Sequence, residues 1–563
     1  MQDATGKQGM ISDFRAPTCA DAIEADLCII GAGPAGLTLA RELAGTPWRI
    51  CLLEGGGRVS EPESQALNAG VSVGPHELDP QSSRLRALGG ATRIWGGGCI
   101  PMSSLELAHR DWVPGSGWPI DWSELAPYYA RANAAWGVEP GDFHDGSYHP
   151  PRDSDRQPSP CLESRVCRMR PVDFGQASLP WLQAAPNLHL VLHANLMQLE
   201  ATHDARHVRR ALIGTVDGRR GHVSARCFVL AAGGIENARI LLLSDDVATQ
   251  GLGNGHDMVG RCFMDHPRCG VGSLKGGRAD RLADWCRGPI DRAPAPATHQ
   301  LSLAGEVQRG HRLLHARFWP FPVERPAPGL QSLRRLRALL RGASHDAAAS
   351  VEQDLLVALA RDLPGRAAPP PAPSRTRLAL DTALHAHDVV RAGFRRLARH
   401  PAVEADRVEL VGYFEQTPHR DSRVGLSDQR DALGLRKVQV DWRLSRGDLD
   451  NIRATAGLVG QDLARQYDCR FEPAPWLRDP GRPPPVLGTA HHMGTTRMSD
   501  SPFSGVVDRN CRLHEMENVY VAGSSVFPTG GWSFPTLTIA ALAIRLADEL
   551  RLRMAELSML AML

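Results

Sequence analysis

The chain contains no run of about 18 apolar residues, so no membrane-spanning helix is predicted. Its 12 cysteines include no C-x-x-C pair. Their spacing suits neither a disulfide framework nor a zinc site, and no metal is expected. Met1 to Ala25 lacks the apolar stretch of a signal peptide and is polar, with both charges present. Charge of one sign is also lacking. The 64 Lys+Arg residues against 62 Asp+Glu leave a net +2, which gives no sign of nucleic-acid binding. Together these absences predict a reduced cytoplasmic protein, with export beside a partner subunit as the open alternative. Of the 563 residues, 42% are hydrophobic and 22% charged. That suits a large buried core shared by two or more domains, or one interleaved domain.

The ordered part is predicted to begin after a loose leader at residues 1–25. Asp26–Ile30 is a short apolar run suited to a buried parallel strand. Leu37–Leu43 follows at helical spacing, and Arg49–Leu53 is a second apolar strand ending in Glu54. This is a βαβ unit of the size that binds a dinucleotide. Residues 85–102 form a glycine-rich loop, and a helical excursion is expected at about 103–160, with its tryptophan-rich part at 111–136. Further strands are expected at Leu188–Leu192, Cys227–Ala231, Arg407–Gln416, Lys437–Trp442 and Val519–Ala522. Helices are expected at Ala232–Leu243, Asp448–Gln466 (with Ser445 or Asp448 as cap) and Thr536–Leu550. Within residues 326–375, Leu333–Arg341 is a basic amphipathic stretch and Ala367–Pro373 reads as a linker or surface loop.

Gly31-Ala32-Gly33-Pro34-Ala35-Gly36 sits between the first strand and its helix. Gly31 permits the tight turn, Gly33 leaves room for a pyrophosphate, and Gly36 lets helix and strand pack closely. The helix N-terminus presents free N–H groups to the phosphates. Glu54 is placed to accept hydrogen bonds from a ribose. The motif opens a long chain, and further cofactor segments lie far downstream, an arrangement that suits FAD rather than NAD.

Those segments are Leu88 to Gly97 (L-G-G-A-T-R-I-W-G-G), Ala231 to Ala238, Gly260 to Pro267, His491 to Met498, Asn518 to Thr529, and Pro535 to Thr538. In this order the chain resembles the glucose–methanol–choline (GMC) oxidoreductases, with the greatest likeness to bacterial sugar and polyol dehydrogenases and pyranose oxidase-like members. The resemblance covers about residues 26–550 and thins between about 270 and 400. It implies an α/β fold: a Rossmann-type FAD-binding domain built from discontinuous segments (26–265 and 481–550), an α+β substrate domain with an antiparallel sheet (266–480), and a tail at 551–563. It also implies that Gly31, Gly33, Gly36 and Glu54 hold the adenosine diphosphate part, with Leu196 near the adenine. Gly90, Trp95, Gly96 and Gly97 would run along the flavin. Gly523 and Ser524 would approach the pyrophosphate and ribityl chain, and Pro535 and Thr536 would lie by the flavin ring. Some relatives bind FAD covalently through a histidine before the loop tryptophan. Here that position is Ile94, so the FAD is expected to be non-covalent.

Flavin-dependent alcohol oxidation needs a base for the hydroxyl proton and a path for hydride from the same carbon to flavin N5. Aligned on Gly494-Thr495, the resemblance places the catalytic histidine at His491. Neighbouring His492 would face the other way in extended chain. The position before Pro535-Thr536, asparagine or histidine in relatives, is Phe534, which can neither donate nor accept a conventional hydrogen bond. Ser533 or His492 could supply that contact, His491 could act alone, or Phe534 could stack on an apolar substrate. Glu415, Gln416 and Trp532 each carry two readings, pocket or not. The function expected is oxidation of a hydroxyl on a sugar, polyol or secondary metabolite, by a dehydrogenase in preference to an oxidase. Oxygen, a quinone or a cytochrome subunit would take the electrons. Desaturation or cyclisation of an apolar natural product is the alternative, and a catalytically silent flavoprotein the third.

Overall fold

The run from Asp26 folds as the strand Leu27–Ile30, buried along its whole length, and Ile50–Leu53 lies parallel beside it. Strands buried on both faces need apolar side chains at every position, and L-C-I-I and I-C-L-L supply them. The computed structural model describes residues 10–138, 144–147, 159–279, 281–282, 297–325, 327–340, 374–397 and 405–560. The Ala367–Pro373 run lies outside the described residues, as does Arg341 at the end of the basic amphipathic stretch. The remainder of that stretch lies in the helix Pro328–Leu340.

The parallel sheet has six strands in the order Met10–Asp13, Leu188–Leu192, Ile50–Leu53, Leu27–Ile30, Cys227–Leu230 and Val519–Val521. Residues 10–25 therefore depart from the expected leader. Met10–Asp13 is an edge strand paired with Leu188–Leu192, and Ala22–Glu24 closes a four-stranded sheet against Arg220–Ser224. Both strands are too short and too polar for periodicity to reveal. They form because a neighbouring edge offers unpaired backbone groups. The expected tail is likewise helical as far as it is described, because the last helix runs unbroken over Pro535–Leu560. That helix packs on Pro34–Glu42 and on Trp122–Trp136. The helix expected from Asp448 begins at Arg446 and uses both candidate caps. The Ser445 hydroxyl accepts the Asp448 N–H, and the Asp448 carboxylate accepts the Ser445 N–H.

Among the described residues, an eight-stranded antiparallel sheet forms the second body. It runs in the order Arg470–Pro473, Arg268–Lys275, Ala405–Phe414, Ala316–Glu324, Ala297–Leu303, Leu162–Met169 and Gly98–Cys99, with His144–Ser147 also on Leu162–Met169. The chain thus crosses the predicted limits of 266–480 in both directions. Leu162–Met169 and Gly98–Cys99 join this sheet from upstream. Arg423–Arg430 and Arg436–Asp441 instead pair with each other and with Gly70–Ser72.

Side chains alternate across such a sheet. One face carries Leu301, Phe318, Leu410 and Phe414, packed with Ile452, Ala456, Val459 and Leu463 of the helix Arg446–Gln466. Burying each such Leu, Ile or Phe side chain contributes about 1.5–3 kcal/mol. The other face is polar. Gln300 lies opposite Arg165, Ser302 opposite Arg317, and Arg317 opposite Tyr413. No described helix is long and apolar enough to cross a membrane, and the described residues contain no cluster of His, Cys, Asp and Glu placed to hold a metal ion.

Candidate functional site

The turn after Leu27–Ile30 fits a dinucleotide. Gly31 has φ +108°, a conformation that costs glycine nothing and other residues a clash. A Cβ on Gly36 would lie 1.9 Å from the Gly31 carbonyl oxygen, whereas one on Gly33 would meet nothing within 4 Å. The open ground is therefore in front of Gly33, where the helix Pro34–Glu42 begins with no side-chain cap. Bare N–H groups and a positive helix end at an open surface make a phosphate cradle.

Glu54 ties the turn together. Its carboxylate accepts the Ala32 N–H at 3.1 Å and the Gly56 N–H at 2.8 Å, and each oxygen keeps a lone pair for a ribose hydroxyl. Burial pushes its carboxyl up, against the pull of those two N–H donors. Leu196 is buried near the start of the strand Asn195–Ala201, paired with Ile213.

The flavin-loop segment docks on this turn. The Gly89 N–H donates to the Ala32 carbonyl at 2.8 Å, and a Cβ on Gly90 would lie 3.2 Å from the Gly33 Cα. Gly96 faces open space, and Gly97 packs on Pro171. Trp95 turns to Trp136 and Phe174 and donates to the Val172 carbonyl at 3.1 Å, so its ring is spent on packing the loop. Ile94 is 58% exposed. Gly523, with φ +111°, lies 4.0 Å from Ala35 measured from a would-be Cβ. The Ser524 hydroxyl donates to the His492 carbonyl at 2.6 Å. Asn237 accepts the Ala232 N–H and donates to the Ala522 carbonyl and the Ser525 hydroxyl, joining two of the cofactor segments. Pro535 starts the last helix and Thr536 is half-buried beside it. The residues present fit an extended dinucleotide such as FAD.

His491 is fixed from two sides. The buried Asp265 carboxylate accepts the backbone N–H groups of His266, Thr489, Ala490 and His491 and the Thr489 hydroxyl, at 2.7–3.1 Å. That grip holds Ala490 at φ +61° and so sets the direction of the next side chain. The His491 Nδ1 then meets the His266 Nδ1 at 2.9 Å and the Thr489 Oγ1 at 3.1 Å.

The protons follow from this network. His266 Nε2 lies 3.2 Å from the Gly530 carbonyl, which only accepts, so His266 carries its proton on Nε2. Its Nδ1 is then an acceptor, and His491 Nδ1–H donates to it. That leaves the Nε2 of His491 with a free lone pair, and no described residue hydrogen-bonds to it. Burial, reinforced by the neighbouring His266 and by Arg317, holds His491 well below the usual histidine range. It is neutral at pH 7.

His492 points away. Its ring packs by Phe263 at 5.8 Å, its Nε2 has no hydrogen-bond partner, and burial pulls its pKa down to about 4. Phe534 stands edge-on to His491, with ring centroids 5.8 Å apart. The Ser533 hydroxyl donates to the Glu106 carboxylate at 3.1 Å and is fully buried. Trp532 is buried too, and its backbone N–H donates to the same carboxylate. Neither Ser533 nor His492 therefore presents a polar atom beside Phe534.

The polar sheet face closes the other side. Glu415 and Gln416 are both buried rather than at a surface strand end. Glu415 forms a bidentate pair with Arg110 at 2.6 and 2.7 Å, and both side chains are sealed from solvent. Despite burial, the Arg110 guanidinium holds Glu415 down at about 2. Glu415 also accepts the His315 N–H at 3.1 Å and the Gly531 N–H at 3.3 Å, tying the sheet to the tail loop. Gln416 accepts the Trp442 indole N–H and donates to the Arg443 carbonyl.

Arg317 lies 3.9 Å above the Phe534 ring and 4.1 Å from the Tyr413 ring. Burial lowers its pKa only to about 10, so it stays a cation. Sequence reasoning missed Asp265, His266, Arg317 and the Arg110–Glu415 pair. A partial signal was present: Gln300 and Ser302 alternate with Leu301 and Leu303, the period-2 pattern of a strand with one polar face.

The profile of the GMC oxidoreductase family matches residues 418–543. The chain is 24% identical to 6'''-hydroxyparomomycin C oxidase of Streptomyces lividus, over 92% of this chain and 90% of that protein. It is 22% identical to the fructose dehydrogenase large subunit of Gluconobacter japonicus, over 94% and 98%. Among solved structures, formate oxidase superposes with a TM-score of 0.55 at 16% identity, over 96% of this chain and all of that one. Pyridoxine 4-oxidase from Mesorbium loti gives 0.53 at 16%, over 93% and 98%. At that identity the superpositions speak for the fold alone.

Proposed function

We propose that the chain, whose residues 418–543 match the GMC oxidoreductase profile and which aligns along most of its length with sugar-acting relatives, oxidises a CH–OH group of a small polyhydroxylated molecule with His491 as the base. One observation carries the reading: the hydrogen-bond chain from Gly530 through His266 leaves the Nε2 lone pair of His491 free in a neutral ring. The relatives support it, being named for action on fructose, a paromomycin-type aminoglycoside and a propanediol, with both oxidases and dehydrogenases among them. FAD supplies the two-electron acceptor when bound. Gly31, Gly33, Gly36, Gly523 and Ser524 would hold its pyrophosphate, and Glu54 its ribose. His491 takes the hydroxyl proton at Nε2, Asp265 and His266 orient it, and Phe534 with the polar sheet face encloses the substrate.

The test is anaerobic mixing of the yellow protein with a panel of sugars and polyols. Bleaching at 450 nm by at least one of them is expected, and a flavin that stays oxidised across the panel refutes the reading. We also propose non-covalent FAD, because Ile94 offers no nucleophile. Acid precipitation is expected to leave the flavin in the supernatant, and a yellow pellet would count against it. The Phe534→Asn variant restores a hydrogen-bonding group worth about 0.5–1.5 kcal/mol in a single contact. It is expected to speed flavin reduction by ordinary sugars several-fold, read as kcat/KM. An unchanged or lower value would mean that Phe534 does not set specificity.

A further inference from the structure

One cation on the polar sheet face has no carboxylate partner among the described residues. Arg110 is balanced by Glu415, Arg165 pairs with Glu163 at 3.0 Å, and Arg268 has partners of its own. Arg317 is 1% exposed, and no carboxylate among the described residues pairs with it. Its single polar bond is from Nη1 to the Gln300 Oε1 at 3.1 Å, and its Nε is buried without a partner. Beside it, the Gln300 Nε2 and both ring nitrogens of His315 are also buried without partners. His315 lies two residues before Arg317, just ahead of the strand Ala316–Glu324.

Burying an unpaired cation costs several kcal/mol, and each unsatisfied donor adds about 1–3. Packing alone does not account for this group, since an uncharged residue would fill the same space between Phe534 and Tyr413 without that cost. The expense also grows during the reaction. When His491 takes a proton, a second positive charge appears against the same Phe534 ring.

Resting on the reading of this site as an alcohol-oxidising centre, we propose that the substrate carries a carboxylate, held by Arg317 with Gln300 and His315. A guanidinium fork matches a carboxylate in two hydrogen bonds. One negative charge balances the one unpaired cation, which favours a hydroxy acid or sugar acid over a phosphate ester. The other guanidiniums near His315, those of Arg110 and Arg165, are already paired with Glu415 and Glu163, so a dianion would meet no second unpaired cation.

The holoenzyme tests this without turnover. Propionate, which has no hydroxyl, is expected to perturb the oxidised flavin spectrum saturably, at least 10-fold more tightly than its neutral isostere propionamide. The Arg317→Gln variant is expected to lose that response, and Arg317→Lys to keep part of it. In turnover, D-gluconate is expected to reduce the flavin with a lower KM than D-sorbitol. Arg317→Gln would raise the gluconate KM at least 10-fold more than it raises the sorbitol KM. Equal weak responses to propionate and propionamide in the wild-type protein overturn the proposal, even if the variants fail to fold. So does tighter binding of inorganic phosphate than of propionate, or an equal loss of kcat on gluconate and sorbitol, which would place Arg317 on the reacting hydroxyl. Propionate binding that depends on Arg317, combined with a flavin that no hydroxyl compound bleaches, would support the anion site and refute alcohol oxidation instead.

Discussion

The His491→Ala protein is expected to bind its full complement of FAD and to be reduced 10²–10⁴-fold more slowly than wild type by whichever alcohol bleaches the latter, the usual range for loss of a positioned acid–base group. Stopped-flow reduction under nitrogen measures this, with flavin content read on the same samples. Flavin content should hold because the cradle lies on other residues: Gly33 at the open end of Pro34–Glu42, Glu54 at the end of Ile50–Leu53, and Gly523. The rate should fall because the free Nε2 lone pair has no deputy. His492 packs on Phe263, and Ser533 is bound to Glu106. The pH dependence has a definite sign. As the proposed base His491 acts unprotonated, and its pKa is lowered by burial and by its charged neighbours. The base form therefore persists as pH falls through the ordinary histidine value of about 6.5, and the acid limb of the reduction rate lies below that value. A variant reduced at the wild-type rate would remove His491 from the base role.

The second large effect is on stability. Breaking a buried ion pair by removing one partner costs about 3–5 kcal/mol, because the other charge is stranded. Glu415→Gln does this to Arg110 and weakens two further bonds, from the His315 and Gly531 N–H groups. The thermal midpoint is expected to fall by several degrees. Removing both charges with apolar replacements (Arg110→Met with Glu415→Leu) should recover much of the loss, since the pair itself adds little beyond what packing can supply. The deficit also depends on pH. Glu415 is held at about 2 in the fold against about 4.3 in an unfolded chain. Its contribution is therefore full above the unfolded value and is lost as pH falls toward 2, and the wild-type and Gln proteins should converge in acid. Equal midpoints at pH 7 would show that the pair does not hold the sheet to the tail.

The sequence shows best what is local. The strand, turn and helix around Gly31–Gly36 depend on residues a few positions apart, and so do the Ser445–Asp448 capping box and the start of the last helix. His491 was legible only through the order of motifs along the chain. What gives that histidine its direction was not legible. Asp265 lies 226 residues from His491, and Arg110 lies 305 from Glu415. No periodicity links residues that meet only once two sheets have formed. Arg317 hides for another reason. Its strand, A-R-F-W-P-F-P-V-E, does not alternate cleanly, because Trp319 and Phe321 follow on the same side. The polar face is clear only when Gln300, Arg165 and Tyr413 are brought alongside in register.

The strand order of the parallel sheet also sets a timetable for synthesis. Cys227–Leu230 has neighbours on both sides, one from the first tenth of the chain and one, Val519–Val521, from the last. At about 5–20 residues per second, the roughly 290 residues between them take on the order of 15–60 s to leave the ribosome. During that interval an apolar strand edge stands open, and Gly523 and His491 have not yet been made. Capture of the flavin is therefore a late event, completed only as the last helix is released. Overproduction that outruns the supply of FAD or of chaperones should yield colourless, aggregating chains rather than an intact apoprotein awaiting its cofactor.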